Sequence, residues 1–168
     1  AADVAVFITP SAVRRPMAES IVLFILALSH RLVWKDRLIR QGQWTESKHG
    51  LGREPRDRVV GMIGLGNIAS QAVRLLRPFD IGDFLAADPY VDPGRGTELG
   101  VRLVSLEELL RHSDYVLVNC PLTDETHHLI GERELEIMKP DAVLINTARG
   151  PIVDEAALVQ ALRGGVIR

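Results

Sequence analysis

The chain has 168 residues, which is enough for one domain with a hydrophobic core. Its hydrophobic content of 46% and charged content of 25% are ordinary for a globular protein, and its net charge of −2 gives no electrostatic reason to expect a nucleic-acid partner. The single cysteine, Cys120, excludes an internal disulfide and fits a reducing cytoplasm, where we expect the protein to reside.

The N-terminal quarter predicts a strand over residues 3–8, a turn at Thr9-Pro10, and one long helix over residues 17–39. The apolar run at residues 21–28 is shorter than the roughly 20 residues that a bilayer requires, so neither a membrane span nor a signal peptide is expected. Because the first half of this helix is apolar nearly all round, it must be covered on more than one side, by its own domain or by a second chain. The chain opens without Met inside a strand-like pattern, so we expect it to be the interior of a longer protein.

The most specific pattern of the chain begins with an apolar run at residues 59–63, which predicts a buried strand. A turn of the form G-x-G-x-x-A follows, and then a segment with apolar residues at helical spacing. Gly64 permits the tight turn, Gly66 lets the backbone approach a pyrophosphate, and Ala69 allows close packing of the helix. The phosphates would bind the free N–H groups at the start of the helix.

A second strand leads to Asp88, which lies 22 residues after Gly66. A carboxylate at this position can accept hydrogen bonds from the adenosine ribose hydroxyls and would repel a 2′-phosphate, so NAD is favoured over NADP. The alternative is an ordinary strand–helix–strand turn in which Asp88 only starts the Asp88-Pro89 turn. The strand, the glycine turn, the helix and the acid after the second strand all occur at their expected spacing, which favours the dinucleotide site.

The rest of the chain alternates between strands and helices. After a turn-rich stretch at residues 90–100, strands are predicted over residues 101–104, 115–118 and 142–145, and helices over residues 106–112, 132–138 and 155–162. Ser105 and Asp154 are the expected N-caps, Glu108 occupies the capping-box position, and Val166-Ile167 would begin a further strand. This alternation predicts one α/β domain over residues 1–168, a doubly wound, Rossmann-like parallel sheet with helices on both faces.

Ligands of open α/β sheets bind beyond the carboxyl ends of the strands. Two further strand ends carry distinctive residues, Cys120-Pro121-Leu122-Thr123 and Thr147-Ala148-Arg149-Gly150. Pro121 ends its strand and can leave backbone groups free to face a nucleotide, although a plain strand-terminating turn has the same sequence. Arg149 is the only cation of the set, and its planar guanidinium suits a substrate carboxylate.

Histidine is the obvious proton carrier for hydride chemistry, yet none of the five histidines lies at a predicted strand end. They are His30, His49, His112, His127 and His128. We expect all five to be structural or surface residues. The sequence has no Cys/His ligand pattern, so no metal site is expected, and it has no G-x-S-x-G nucleophile turn.

Several short motifs occur in one order along the whole chain. They are Thr9-Pro10 with Ala18-Glu19, Gly42-Gln43-Trp44, the turn from Gly64 to Ala69, Asp88-Pro89, Asn119-Cys120-Pro121-Leu122-Thr123 with Glu125-Thr126, and Asn146-Thr147-Ala148-Arg149-Gly150 with Val153-Asp154-Glu155-Ala156-Ala157-Leu158. Together they resemble the NAD-binding domain of the D-isomer-specific 2-hydroxyacid dehydrogenases. That family couples NAD(H) to the interconversion of 2-hydroxy and 2-oxo acids or, in one branch, oxidises formate.

The resemblance implies roles for individual residues. Asn67 and Ile68 would contact the pyrophosphate, and Asp88 would bind the ribose. The residues that would line the nucleotide are Cys120, Pro121, Thr147 and Ala148. Arg149 matches the catalytic arginine, which holds the substrate carboxylate and polarises its carbonyl. The helix near Met17 resembles the dimer-forming helix of the family, so a homodimer is expected.

The resemblance also implies parts that this chain does not contain. The catalytic His and its partner Glu follow a strand beyond Arg168, and the substrate domain is missing too. We therefore expect the chain alone to bind NAD(H) weakly and not to turn over. Ile8 and Asp80 stand where the family often has Asn and Gly. An NAD(H)-sensing dimerisation module of a transcriptional corepressor and a formate dehydrogenase remain as alternatives.

Overall fold

The structure is a computed structural model that describes residues 5, 9, 12–46 and 50–167. Most of the strand predicted at residues 3–8 lies outside this part, as do Pro10 and His49. The strands are β1 (Val59–Ile63), β2 (Asp83–Ala87), β3 (Arg102–Leu103), β4 (Tyr115–Val118) and β5 (Val143–Asn146). The helices are α1 (Arg14–Ser29), α2 (Leu32–Arg40), α3 (Asn67–Leu76), α4 (Pro93–Leu99), α5 (Leu106–His112), α6 (Glu132–Glu136) and α7 (Glu155–Gly164).

The five strands form one parallel sheet in the order β3-β2-β1-β4-β5. Ile63, the last residue of β1, lies opposite Ala87 of β2 and opposite Val118 of β4, and Val118 lies opposite Asn146 of β5. Four strands therefore end at the same level. The strand order reverses between β1 and β4, and such a switch point is where doubly wound sheets bind their ligands.

Helices cover both faces of the sheet, because successive side chains of each strand point to opposite faces. Val60 and Met62 of β1 belong to one buried cluster with α1 and α3. Leu85 of β2 and Val116 of β4 belong to a second buried cluster with α5, α6 and α7. The predicted doubly wound, Rossmann-like parallel sheet is confirmed.

The single helix predicted over residues 17–39 is wrong, because the chain forms α1 and α2 with a 59° bend between them. Arg31 at the break has a left-handed backbone (φ 54°), and its guanidinium stacks on Trp34 at 4.5 Å. The carbonyl of Ser29 accepts the Arg53 N–H at 2.8 Å, and the Ser29 hydroxyl bonds the buried Tyr115 hydroxyl at 2.6 Å. Contacts between residues distant in sequence therefore end α1 at Ser29, although the local sequence would allow the helix to continue.

No single helix of the described residues has the length and apolar composition of a membrane span. The bent pair of α1 and α2 meets both conditions only when the two helices are taken together. One side of α1 is buried against α3, through Ala18, Ile21 and Ile25.

Residues 93–99 form helix α4, which the sequence analysis treated as turns. Asp92 caps this helix by accepting the Gly94 N–H at 2.7 Å, and Pro93 occupies its first turn. Asp followed by Pro is a helix-start signal. The two glycines that follow, Gly94 and Gly96, led to a prediction of turns instead, because glycine disfavours helices.

Several predicted boundaries and caps also differ in detail. Ser105 caps α5 as predicted, but the Glu108 carboxylate binds Arg102 at 3.3 Å instead of closing a capping box. The helix predicted over residues 132–138 ends at Glu136, and residues 166–167 form no strand in the described chain. The last helix begins as predicted, since Asp154 accepts the Ala157 N–H at 3.0 Å.

We expect Asp154→Ala to lower the free energy of unfolding at neutral pH, because α7 loses its N-cap. The bond from the Ala157 N–H lowers the pKa of Asp154 below its ordinary 3.8, and His128 acts in the same direction. The carboxylate therefore contributes fully above pH 3.8, and its contribution is lost as the pH falls through the lower folded-state pKa. Urea unfolding across this range should show the difference between wild type and Asp154→Ala narrowing. Asp154→Asn, which keeps a capping oxygen, should cost little, and an equal loss in both variants would contradict the cap.

Candidate functional site

The predicted site residues lie in one row along the carboxyl edge of the sheet. Gly64, Asp88, Asn119 and Thr147 directly follow β1, β2, β4 and β5, and the register places these four strand ends level. Neighbouring strands are about 4.8 Å apart, so the row extends about 14 Å from β2 to β5. The structure thus places these four strand ends, and the chain that continues from each, along one edge of the sheet.

The glycine turn joins β1 to α3 and is packed against the end of β4. Gly64 has a left-handed backbone (φ 92°), and a Cβ on it would lie 3.0 Å from the Cys120 nitrogen. A Cβ on Gly66 would meet no atom of the described residues within 4 Å. Gly66 is the N-cap of α3 and supplies no side-chain cap, so Asn67 and Ile68 begin a helix whose first N–H groups are left for a ligand.

Asp88 connects the end of β2 to the glycine turn. Its Oδ2 accepts the Leu65 N–H at 2.8 Å, and its Oδ1 accepts the Tyr90 N–H at 3.0 Å. The half-buried carboxylate therefore holds the turn in place, a role that the sequence does not reveal. Each carboxylate oxygen has further lone pairs, so these bonds leave Asp88 able to accept ribose hydroxyls as well.

The ends of β4 and β5 are joined by a side-chain hydrogen bond. Asn119 donates from Nδ2 to Thr147 Oγ1 at 2.9 Å, while the buried Asn119 Oδ1 accepts no hydrogen bond from the described residues. Cys120 and Ala148 are half-buried beside this pair, and Pro121 is exposed. Burial raises the pKa of the Cys120 thiol, and the Asp88 carboxylate raises it further. The thiol is therefore protonated at neutral pH.

Arg149 lies at the β5 end of the row, and its side chain is exposed. The Asn146 side chain fixes the turn that carries it, because Nδ2 donates to the Arg149 carbonyl and Oδ1 accepts the Ala148 N–H, each at 2.9 Å. Among the described residues, the guanidinium itself donates only to the Ala148 carbonyl, at 3.0 Å. No carboxylate of the described residues lies within 4.0 Å of it, so it is available to an anionic ligand.

Of the described histidines, His30 and His112 lie away from this row, whereas His127 and His128 lie beside the turn that carries Arg149, because the His128 N–H donates to the Pro151 carbonyl at 2.8 Å. His30 follows α1, and His112 ends α5 with its Nδ1 2.8 Å from the Glu108 carbonyl oxygen. His127 and His128 stack on each other at 4.0 Å in an exposed loop. Within the described residues, no group of three or more His, Cys, Asp or Glu side chains could hold a metal ion.

These features fit a dinucleotide. The space over Gly66 and the uncapped start of α3 suit a pyrophosphate, and Asp88 suits a ribose that lacks a 2′-phosphate. The free Asn119 Oδ1 gives the cleft one buried acceptor for a ligand donor. The sequence did not predict that acceptor. It also did not predict the contact between the Tyr90 hydroxyl and Glu125 Oε2, which are 2.6 Å apart. The second depends on two loops 35 residues apart, so no local pattern could have revealed it.

We expect Asp88→Ala to weaken NAD binding by about 10- to 100-fold, since hydrogen bonds to a charged group contribute about 1.5–3 kcal/mol. NADP binding should weaken less, because the repulsion of its 2′-phosphate disappears, and the preference for NAD should narrow. Titration of both nucleotides by calorimetry measures this change. Asp88→Asn is the matched control, because its side-chain oxygen can still accept the Leu65 N–H while the charge is removed. Unchanged affinities for both nucleotides in Asp88→Ala would exclude Asp88 as the ribose acceptor.

Comparison with known proteins points to one family. Residues 22–168 match the family model described as "D-isomer specific 2-hydroxyacid dehydrogenase, NAD binding domain". A glyoxylate reductase of Aeropyrum pernix is 41% identical over 169 residues, which cover 95% of this chain and 49% of the relative. A D-3-phosphoglycerate dehydrogenase of Archaeoglobus fulgidus is 37% identical, over 89% of this chain and 28% of the relative. The chain thus spans half or less of these relatives' length.

Solved structures agree with the sequence relatives. The apo D-lactate dehydrogenase of Escherichia coli superposes with a TM-score of 0.86 at 30% identity, over 95% of this chain and 49% of that one. The D-lactate dehydrogenase of Lactobacillus jensenii, solved with NAD⁺, gives a TM-score of 0.84 at 28% identity, over 95% and 47%. These comparisons lend no support to the corepressor alternative or to the formate dehydrogenase alternative. The chain belongs to the D-isomer-specific 2-hydroxyacid dehydrogenases, and it is their NAD-binding domain.

Proposed function

We propose that this chain is the cofactor-binding part of an enzyme that interconverts a small D-2-hydroxy acid and its 2-oxo acid. The observation that carries the proposal is Arg149, an exposed guanidinium without a carboxylate partner among the described residues, on the same sheet edge as the glycine turn. A guanidinium forms bidentate bonds with a carboxylate and keeps its charge at any working pH. NAD(H), when bound, supplies or accepts the hydride.

In this proposal, different residues of the row bind different parts of the cofactor and the substrate. The start of α3 and Asp88 hold the two phosphates and the adenosine ribose, which places the nicotinamide end toward β5. There Arg149 binds the substrate carboxylate and polarises the adjacent carbonyl. The described histidines nearest to Arg149 are His127 and His128, to which the family resemblance assigns no catalytic role, so we expect the proton donor to come from another part of the whole protein.

Kinetics and binding measurements on two proteins test the proposal. The whole protein should oxidise NADH steadily with a small 2-oxo acid, whereas the 168-residue chain should bind NADH without turnover. Steady NADH oxidation by the chain alone, with any 2-oxo acid, would show that the chain already holds a proton donor. A whole protein that binds NADH but reduces no 2-oxo acid and oxidises no D-2-hydroxy acid would overturn the proposal.

We further propose that the protein is a homodimer through the α1–α2 face. Helix α2 buries none of its residues in the structure, although it is rich in apolar side chains, and Val33 is 71% exposed. Leu23, Phe24 and Leu28 of α1 continue the same apolar surface. A contiguous patch of this kind is typical of an interface, and a second copy would cover it with an identical surface.

Light scattering after size-exclusion chromatography tests the dimer. We expect the wild-type chain to elute with twice its monomer mass, and Val33→Arg to shift the mass to that of the monomer, because it places a charge in the apolar contact. Leu162→Arg, at an exposed apolar position of α7, is the matched control and should remain a dimer. A monomeric wild type would refute the dimer, and so would a Val33→Arg variant that keeps the dimer mass.

A further inference from the structure

A hydrogen bond between Tyr90 and Glu125 crosses the nucleotide site. Tyr90 follows the end of β2 and Glu125 lies in the loop after β4, and the Tyr90 hydroxyl is 2.6 Å from Glu125 Oε2. Strand β1 lies between β2 and β4 in the sheet, so the two loops flank the glycine turn. The bond therefore spans the end of β1 on the side of Asp88, where the adenosine ribose is expected.

Both partners are held by their own loops. The Tyr90 N–H donates to Asp88 Oδ1, which ties the tyrosine to the ribose-binding carboxylate. On the opposite loop, Thr126 Oγ1 accepts the Thr123 N–H at 2.8 Å and donates to the Pro121 carbonyl at 2.6 Å. Glu125 precedes Thr126, and the hydrogen bonds of Thr126 constrain the backbone that carries the Glu125 carboxylate.

The charges around Tyr90 place a second carboxylate near Asp88. The Tyr90 pKa is raised most by the hydrogen bond and the charge of Glu125, and also by the charge of Asp88. Two negative groups therefore act on one hydroxyl at the ribose end of the site. Tyr90 is 80% exposed, and an exposed pair of this kind contributes little to folding stability. A ligand-directed role accounts for the arrangement better than a structural one.

We propose that Glu125, oriented by Tyr90, is a second specificity-determining carboxylate that acts with Asp88 to exclude a 2′-phosphate and so favours NAD over NADP. This inference deepens the proposed function and rests on its nucleotide site. A phosphate monoester carries between one and two negative charges at neutral pH. A carboxylate several ångströms from it, in the high-dielectric surroundings of a surface, weakens NADP binding by about five- to tenfold.

The test measures dissociation constants for NAD⁺ and NADP⁺ with the full 168-residue chain at low salt. In Glu125→Gln, which keeps an acceptor for the Tyr90 hydroxyl, we expect NAD⁺ binding within about twofold of wild type and a roughly five- to tenfold smaller NADP⁺-to-NAD⁺ ratio of dissociation constants. Tyr90→Phe should reduce the ratio by less, since it frees Glu125 without neutralising it. Asp124→Asn, which removes the same charge from the adjacent residue, should leave the ratio unchanged. High salt should reduce the effect of Glu125→Gln, because exposed charges are screened.

An unchanged ratio in Glu125→Gln, with normal NAD⁺ binding, would overturn this inference alone. An equal decrease in Asp124→Asn would do the same, because it would show a general effect of net charge. A wild-type chain that binds neither nucleotide would overturn the inference together with the proposed function.

Discussion

Gly66→Ala should reduce NAD binding by about 10- to 100-fold while the chain stays folded. The Cβ would enter open space over the start of α3, where the pyrophosphate is expected, and crowding a well-packed contact costs about 1–3 kcal/mol. The backbone of Gly66 (φ −75°) is accessible to alanine, so the free energy of unfolding should fall by less than about 1 kcal/mol. Fluorescence titration of NADH and urea unfolding measure the two quantities.

Gly64→Ala provides the contrasting variant, two residues away in the same turn. Here the backbone is left-handed, and the Cβ would press on the backbone of Asn119 and Cys120 at 3.0–3.1 Å. We expect a loss of about 2–4 kcal/mol in unfolding free energy, because strain and overpacking add. If Gly66→Ala bound NADH as well as wild type, the pyrophosphate would not lie over Gly66. If Gly64→Ala were as stable as wild type, the close approach to β4 would be wrong.

Arg149→Gln should lower kcat/KM for 2-oxo acid reduction by the whole protein about 10²- to 10⁴-fold. In the proposed function, the change removes both the charge that would bind the substrate carboxylate and the donor that would polarise its carbonyl. NADH binding should be unchanged, because Arg149 lies at the far end of the row from Asp88 and the start of α3. Steady-state kinetics together with NADH titration separate the two effects.

Arg149→Lys is the conservative control for this prediction. It retains the charge but not the planar fork, so its kcat/KM should fall between those of wild type and Arg149→Gln. Arg163→Gln, at the exposed end of α7, should leave the kinetics unchanged. A whole protein that retains its activity within tenfold after Arg149→Gln would exclude Arg149 from the reaction.

The elements that the sequence predicted best are those with strong local signals. Strand β4 and helix α5 have the predicted bounds, and Asp154 caps α7 as expected. In each case a buried run, a cap or a terminal glycine specifies the element within a few residues. The end of α1 carries no such local signal. It is set by Ser29, whose carbonyl accepts the Arg53 N–H and whose hydroxyl bonds the Tyr115 hydroxyl.

The candidate site likewise has features that the sequence predicted and features that it did not. The sequence predicted which residues stand at the strand ends, because a parallel sheet collects them along one edge. It did not predict that Asp88 accepts a hydrogen bond from Leu65 of the glycine turn, or that the Asn119 Oδ1 has no partner among the described residues. Both depend on the distance between neighbouring strand ends, which only the sheet register sets.

For this protein the sequence alone determined the fold class, the glycine turn and the acid that follows β2, since each is encoded within one strand–turn–helix–strand unit. The tertiary structure decided which strand ends lie side by side, where α1 breaks, and that Tyr90 meets Glu125 across the turn. The physical reason is the range of the interactions. Caps, turns and periodicity act over a few residues, whereas strand order and loop-to-loop hydrogen bonds join groups that are tens of residues apart.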